Sequence, residues 1–300
     1  MKLVIDIGGT SIKYTLCENG VLNEIKQVSS PKHWEEMVEI FKNIAVNYKN
    51  SFNKIVSVNI SVPGIPNNQT GRIDGASSLH YLHEVEFINT LEKIFNKPIY
   101  FENDANCASL AELHFGAGKN HQDMLFLVIG TGIGGTVIYN REIKRGAHDF
   151  AGEFGMMLVD GRHEWAVLGS AVHMARKVSK EIGQEVTGEE VFNLAKEGNT
   201  IAKKAVEELY FYNALGIYNL QYILDPEVII IGGGISKHPD LIEEINMKLK
   251  EIMSFGQRSP LIPELRVCEY GNDANLIGAS MIDGNFIENG GFEKTDDSNN

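Results

Sequence analysis

The sequence predicts an α/β protein of two lobes, each built on a mixed sheet flanked by helices, one sheet a duplicate of the other. Three observations lead there. First, a strand–glycine turn–strand device occurs twice, as Val4-Ile5-Asp6-Ile7-Gly8-Gly9-Thr10-Ser11-Ile12 and as Val128-Ile129-Gly130-Thr131-Gly132-Ile133-Gly134-Gly135-Thr136-Val137-Ile138. Second, short apolar runs alternate with segments of helical period, the pattern of sheets covered by helices. Third, 300 residues are enough for two separate cores.

Taken in order, Lys2 to Asp6 is an apolar run that enters the first glycine turn, and Ser11 to Cys17 resumes a strand pattern. Successive amides of such a hairpin can face a phosphate, because glycine permits close approach. A carboxylate beside the turn, Asp6, suits Mg²⁺ managed through water. Met37, Val38, Ile40, Phe41, Ile44 and Ala45 give Trp34 to Tyr48 a helical period. Ile55 to Val62 reads as a strand ending at Pro63-Gly64, and Asn67 to Ser78 as a loop able to wall a substrate site.

Phe101-Glu102-Asn103-Asp104-Ala105-Asn106 is the corner around which the chain is organised. A strand from Pro98 to Phe101 runs into it and a helix from Ala105 to Leu113 leaves it. Parallel α/β sheets place their chemistry at such strand-to-helix corners. The plainer reading is a polar cap in which Asp104 only satisfies helix amides.

Met124 to Ile129 and Thr136 to Tyr139 are strands on either side of Gly130 to Gly135. These letters satisfy G-x-G-x-x-G, but a dinucleotide fingerprint needs a helix after the glycines, and a β-branched strand follows here. Thr187 and Glu190 form a capping box, and Ile201 to Leu224 is a long amphipathic helix stopped by Pro226. Its Tyr210, Tyr212, Tyr218 and Tyr222 read as packing residues. Val228 to Ile231 leads into a third glycine turn, Gly232-Gly233-Gly234, with a helix expected from about His238. Leu265 to Tyr270 and Asp273 to Ile282 are the last strand and helix, and the tail over 286–300 is expected to be disordered.

A net charge of -13 argues against broad nucleic-acid binding, yet leaves ATP open, since phosphates are held by local loops and Mg²⁺. Cys17, Cys107 and Cys268 are odd in number and far apart, so no disulfide framework is implied. No signal-peptide pattern or membrane-length apolar run is seen, and the protein reads as cytoplasmic.

Asp6-Ile7-Gly8-Gly9-Thr10, Glu102 to Asn106, Gly130 to Gly135 and Ile231 to Gly234, taken together and in this order, resemble the ROK family of bacterial sugar kinases and repressors. The resemblance runs from Lys2 to about Ile282. It implies the actin-like ATPase (ribonuclease H-like) fold, in which two lobes close over sugar and ATP and the last helix returns to the first lobe. The expected division is 1–104 with 271–285, and 105–270. Asp104 matches the family's catalytic base toward a sugar 6-hydroxyl. Gly64, Asn103, Asp104 and Glu153 match sugar contacts. Asp6, Gly8, Gly9, Thr10, Lys13, Thr131, Gly132, Gly134, Gly233 and Gly234 are the nucleotide-side residues, with Asp6 toward Mg²⁺. Family members are commonly homodimers.

The sequence departs from the family where most members carry a His and a cysteine-rich zinc loop. Gly155 is followed by Met156, and Val159 to Ser170 holds no cysteine, so no structural zinc site is expected. His148, His163 and His173 have no ligand spacing, and Glu164 is the nearest counterpart of a further sugar-binding Glu. This resembles the zinc-less branch that includes β-glucoside kinases. The alternatives are a glucokinase or N-acetylmannosamine kinase. Outside enzymes they are a sugar-responsive transcriptional regulator, whose winged helix-turn-helix would precede Asp6, and a non-catalytic sensor.

Overall fold

The computed structural model describes residues 1–75, 77–255 and 261–284. The chain divides into two units, Met1–Gly116 with Asn272–Asn300, and Ala117–Gly271. The expected tail over 286–300 lies outside the described residues.

The first unit opens with β1 (Lys2–Ile7), β2 (Ser11–Glu18), β3 (Val21–Leu22), β4 (Lys26–Ser29) and α1 (Trp34–Asn47). It continues through β5 (Ser57–Val62), β6 (Ile65–Asn67), β7 (Arg72–Asp74), α2 (Phe87–Phe95), β8 (Ile99–Asn103) and α3 (Asp104–His114). The main sheet runs β3-β2-β1-β5-β8, with β4 on β2. Here β1 and β2 are an antiparallel hairpin, while β5 lies parallel to both β1 and β8.

The two faces of this sheet differ in chemistry. Leu3, Ile5, Ile7, Val58, Ile60 and Val62 alternate onto one face and bury against Met37, Phe41, Phe87, Leu91 and Phe95 of α1 and α2. The interleaved Ser57, Asn59 and Ser61 are just as buried, and each is hydrogen-bonded. On the small, polar side lies the C-terminal helix Ala274–Ala279, which packs against β1, β5 and α3. Gly278 allows this: a Cβ there would lie 1.7 Å from the Cys107 carbonyl oxygen. That packing places α3 in the first unit, where the sequence reading had begun the second lobe after Asp104.

The second unit holds β9 (Met124–Ile129), β10 (Ile133–Tyr139), β11 (Glu142–Ile143), α4 (Trp165–Gly169), α5 (Ala171–Ile182) and α6 (Gly188–Lys196). It closes with α7 (Thr200–Leu224), β12 (Val228–Gly232), α8 (Leu241–Phe255) and β13 (Leu265–Val267). Its sheet, β11-β10-β9-β12-β13, repeats the first: an antiparallel hairpin, then parallel strands on β9 and β12. The duplicated device is therefore real at the level of pairing. Trp165, fully buried, donates its indole N–H to Asn213 of α7 at 3.1 Å and anchors the core of this unit.

Several expectations change. Asn67 to Ser78 is no plain loop, because β6 and β7 form a hairpin through Ile65–Asp74 and Asn67–Arg72 pairs. α2 is an additional helix, on which Phe87, Leu91 and Phe95 recur at a four-residue spacing and are all buried. The helix after the third glycine turn starts at Leu241, since a 3-10 turn over Gly234–Lys237 comes first. The last strand and helix are shorter than read, at Leu265–Val267 and Ala274–Ala279. Tyr210 is a packing residue, but Tyr222 is half exposed. The capping box of Thr187 and Glu190 is present in full, and the strand after Gly130–Gly135 rules out the dinucleotide turn as expected. No helix among the described residues is long and apolar enough to cross a membrane.

Candidate active site

In the first unit, the carboxyl ends of the parallel strands β1, β5 and β8 carry Asp6, Val62-Pro63-Gly64 and Asn103-Asp104. Crevices outside such ends are where open α/β sheets bind ligands. At the corner both Asn103 and Asp104 accept hydrogen bonds from amides of α3. Asn103 is the cap of α3: its Oδ1 accepts from the Asn106 amide at 3.1 Å, while its Nδ2 donates to the Gly64 carbonyl at 2.9 Å. One side chain thus ties the Gly64 turn to the helix start. Asp104 is the first helical residue, and its Oδ1 accepts from Ala105 N at 2.8 Å. A carboxylate there sits on the positive end of the helix.

Asp6 is nearly buried, and burial pushes its carboxyl pKa up. Hydrogen bonds from Ser61 Oγ at 2.7 Å and Asn275 Nδ2 at 3.1 Å oppose that shift, as does the charge of Lys13. Lys13 lies opposite Asp6 in the β1–β2 register and donates to the Asn272 carbonyl at 3.0 Å. Glu102, also buried, accepts from Asn103 N and Asn106 Nδ2 at 2.8 and 2.9 Å. The buried Cys107 thiol is held well above the ordinary cysteine range, first by burial and then by the charges of Glu102, Asp6 and Asp104. The register lines up Asp6, Ser61 and Glu102 across β1, β5 and β8, so the Asp6 and Asp104 strand ends lie along the same edge of the sheet.

The turn beyond Asp6 is tighter than a free cradle. The Gly8 amide is spent on the Ser11 carbonyl at 3.0 Å, while Gly9 and Thr10 are exposed. Ser78 stands over this turn, since a Cβ on Gly9 would lie 2.4 Å from its Oγ. Nearby in sequence, His83 donates Nδ1–H to the Ile73 carbonyl at 3.2 Å, which leaves Nε2 to accept from Ser77 Oγ at 2.9 Å. The His83 ring lies against Gly64, 2.9 Å from where a Cβ would stand.

In the second unit, the Gly130 amide bonds the Gly132 carbonyl at 2.9 Å, and Cβ atoms placed on Gly130 or Gly134 would meet nothing within 4 Å. Thr131 is exposed at the tip of this turn. Gly233 has φ +87, and a Cβ there would lie 2.5 Å from the Ile129 carbonyl oxygen, so only glycine fits. Gly234 beside it opens to free space. Both turns offer bare backbone of the kind that accepts a phosphate. Glu153 follows Gly152 and is half-buried, and burial raises its pKa.

Val159 to Ser170, the segment in place of a zinc loop, opens with a turn stapled by Asp160 and ends in α4. Asp160 accepts from Arg162 N, His163 N and His163 Nδ1 at 2.7 to 2.8 Å. Leu158 bridges Glu164, and α4 follows. His173 bonds Ser170 Oγ, and Glu164 is exposed at the cap of α4.

Sequence reasoning named Asp6 but missed the partners that hold it. Ser61 left a trace, a hydroxyl inside an apolar strand. Asn275 left none, because it is brought in from the far end of the chain.

Duplicated sheets with paired hairpins, glycine turns and acidic strand ends define the actin-like ATPase fold. Within it the chain belongs to the ROK family, whose model matches residues 2–284. It is 32% identical over 293 residues to a β-glucoside kinase of Listeria monocytogenes, covering 93% of this chain and 96% of that one. A glucokinase of Streptomyces coelicolor is 27% identical over 94% of this chain and 97% of its own length. Among solved structures, a ROK family protein of Streptococcus pneumoniae in complex with sucrose superposes with TM-score 0.81 at 33% identity, covering 92% of this chain and 96% of that chain.

Proposed function

We propose that this ROK-family sugar kinase transfers the γ-phosphoryl group of ATP to the 6-hydroxyl of a β-glucoside such as cellobiose. The observation that carries the reading is the placement of Asp6 and Asp104 at the carboxyl ends of β1 and β8, in register through β5. Phosphoryl transfer has a loose transition state, so a site needs positioning and charge neutralisation more than a strong base. Asp104 takes the hydroxyl proton as the sugar oxygen bonds to the γ-phosphorus, and the bond to the bridging oxygen breaks to release ADP. Gly64 and Asn103 fix the sugar beside it, and Glu153 is assigned to a sugar hydroxyl.

On the nucleotide side we assign Gly8, Gly9, Thr10 and Lys13 in the first unit, and Thr131, Gly132, Gly134, Gly233 and Gly234 in the second. The oxygen donors fit Mg²⁺, which keeps several waters and takes one or two carboxylates plus substrate phosphates. Among the described residues no set of three His, Cys, Asp or Glu side chains could hold a metal alone. Asp6 would hold Mg²⁺ through water or phosphate, and the ion would neutralise charge on the β- and γ-phosphates.

For the acceptor, support comes from the β-glucoside kinase of Listeria monocytogenes and from the two-ring sugar in the pneumococcal structure. The Streptomyces glucokinase keeps glucose as a second reading. A cytoplasmic homodimer without structural zinc or nucleic acid completes the proposal.

The test is ADP release from Mg-ATP across cellobiose, an aryl β-glucoside, glucose, N-acetylmannosamine and N-acetylglucosamine. Strong turnover on cellobiose with weak turnover on glucose is expected; preference for one free hexose overturns the acceptor assignment. Asp104→Asn should abolish turnover while sugar binding persists, and near-wild-type turnover would remove Asp104 from its role.

A further inference from the structure

We propose that Asn275 is a positioning residue for Asp6, fixing that carboxylate from the C-terminal helix so that one oxygen is left for the hydrated cation of the nucleotide. The proposal rests on the reading of Asp6 as the carboxylate toward Mg²⁺. Both hydrogen bonds to Asp6 fall on the same oxygen, Oδ1: Ser61 Oγ at 2.7 Å and Asn275 Nδ2 at 3.1 Å. Among the described residues Oδ2 takes no hydrogen bond. Two donors on one oxygen, from two different elements, fix the plane of the carboxylate and the direction of the other oxygen.

The donor types matter. A Lys or Arg in the place of Asn275 would also anchor Oδ1, but it would cancel the charge that attracts a cation. An amide and a hydroxyl hold the group and leave its charge in place. Ser61 is set by the sheet, directly across from Asp6 in the β1–β5 register. Asn275 depends on tertiary packing alone, and that packing is firm: Asn59 donates to the Ala279 carbonyl at 2.9 Å, and Gly278 lies on the Cys107 backbone. The same segment holds the second charged group of the site, since Lys13 donates to the Asn272 carbonyl at 3.0 Å. Residues 272–275 thus fix both Asp6 and Lys13, and a shift of this segment would move a carboxylate and an ammonium together.

The experiment compares Asn275→Leu, which keeps the volume and removes the donor, with wild type. It reads the Mg²⁺ concentration for half-maximal sugar phosphorylation, the KM for sugar and the urea midpoint. Independently of turnover, it reads Mn²⁺ affinity by electron paramagnetic resonance in the presence of a non-hydrolysable ATP analogue. Hydrogen bonds to charged groups are strong enough that the Mg²⁺ requirement and the Mn²⁺ dissociation constant should each rise about tenfold. The sugar KM should stay near wild type, while the urea midpoint falls only by what one lost hydrogen bond to a charged group allows. Unchanged metal constants overturn the proposal, as does a rise of the sugar KM in parallel with the metal constants, which would mark a purely structural role. Wild type that binds Mn²⁺ but phosphorylates no sugar overturns the kinase reading, while the Mn²⁺ comparison still decides the role of Asn275. Wild type that binds no Mn²⁺ overturns both.

Discussion

Asp283→Asn tests how the C-terminal segment is held in the first unit. The Asp283 side chain is 1% exposed and its Oδ1 receives Lys2 Nζ, itself 14% exposed, at 2.6 Å. Ser57 Oγ reaches the other oxygen at 3.4 Å, and Lys2 also donates to the Ser280 carbonyl at 2.8 Å. Neutralising Asp283 takes the carboxylate away from a mostly buried ammonium, which keeps the Ser280 carbonyl as an acceptor. Breaking a buried pair by removing one partner costs about 3–5 kcal/mol, and the residual exposure of Lys2 puts this case at about 3. Replacing both, as Lys2→Met with Asp283→Leu, removes the buried ammonium together with the carboxylate and should recover most of the loss. The assay is urea-dependent hydrogen exchange in peptides covering β1 and β5, which report the first unit whatever the second does. A single-variant cost below about 1 kcal/mol, or a double variant no better than the single, would refute the argument.

Gly216→Ala should cost about 1–3 kcal/mol, read as a shift of the urea midpoint. In an exposed helix this change gains stability, but here the Cβ would lie 2.4 Å from ring atoms of the fully buried Trp165, so a stabilised variant would disprove that packing. Glu153→Gln should raise the thermal midpoint at neutral pH. Because burial raises the Glu153 pKa, the folded state binds the proton more tightly than the unfolded one, and wild-type stability falls as pH rises through the folded pKa. The gain should therefore fade as the pH drops into the ordinary glutamate range; a gain that is flat with pH would remove ionisation as its cause.

What the sequence determined by itself are the features set by neighbours along the chain. The two strand–glycine–strand hairpins, the capping box at Thr187 and the strand-to-helix corner at Asn103-Asp104 each follow from side chains a few residues apart, and they named Asp6 and Asp104. Turn geometry also ruled out the dinucleotide loop, because a strand and not a helix follows the glycines. The β6–β7 hairpin escaped because its strands are three residues each, too short for alternation to register. Tertiary structure decided the rest. Nothing local says that the Gly8 amide is spent on its own turn, or that Asn103 rather than Asp104 caps the helix. Least legible of all was Asn275, which reaches Asp6 only because Gly278 lets the last helix lie against Cys107. A hydrogen bond across such a separation has no periodicity to betray it; only the packed fold brings donor and acceptor within reach.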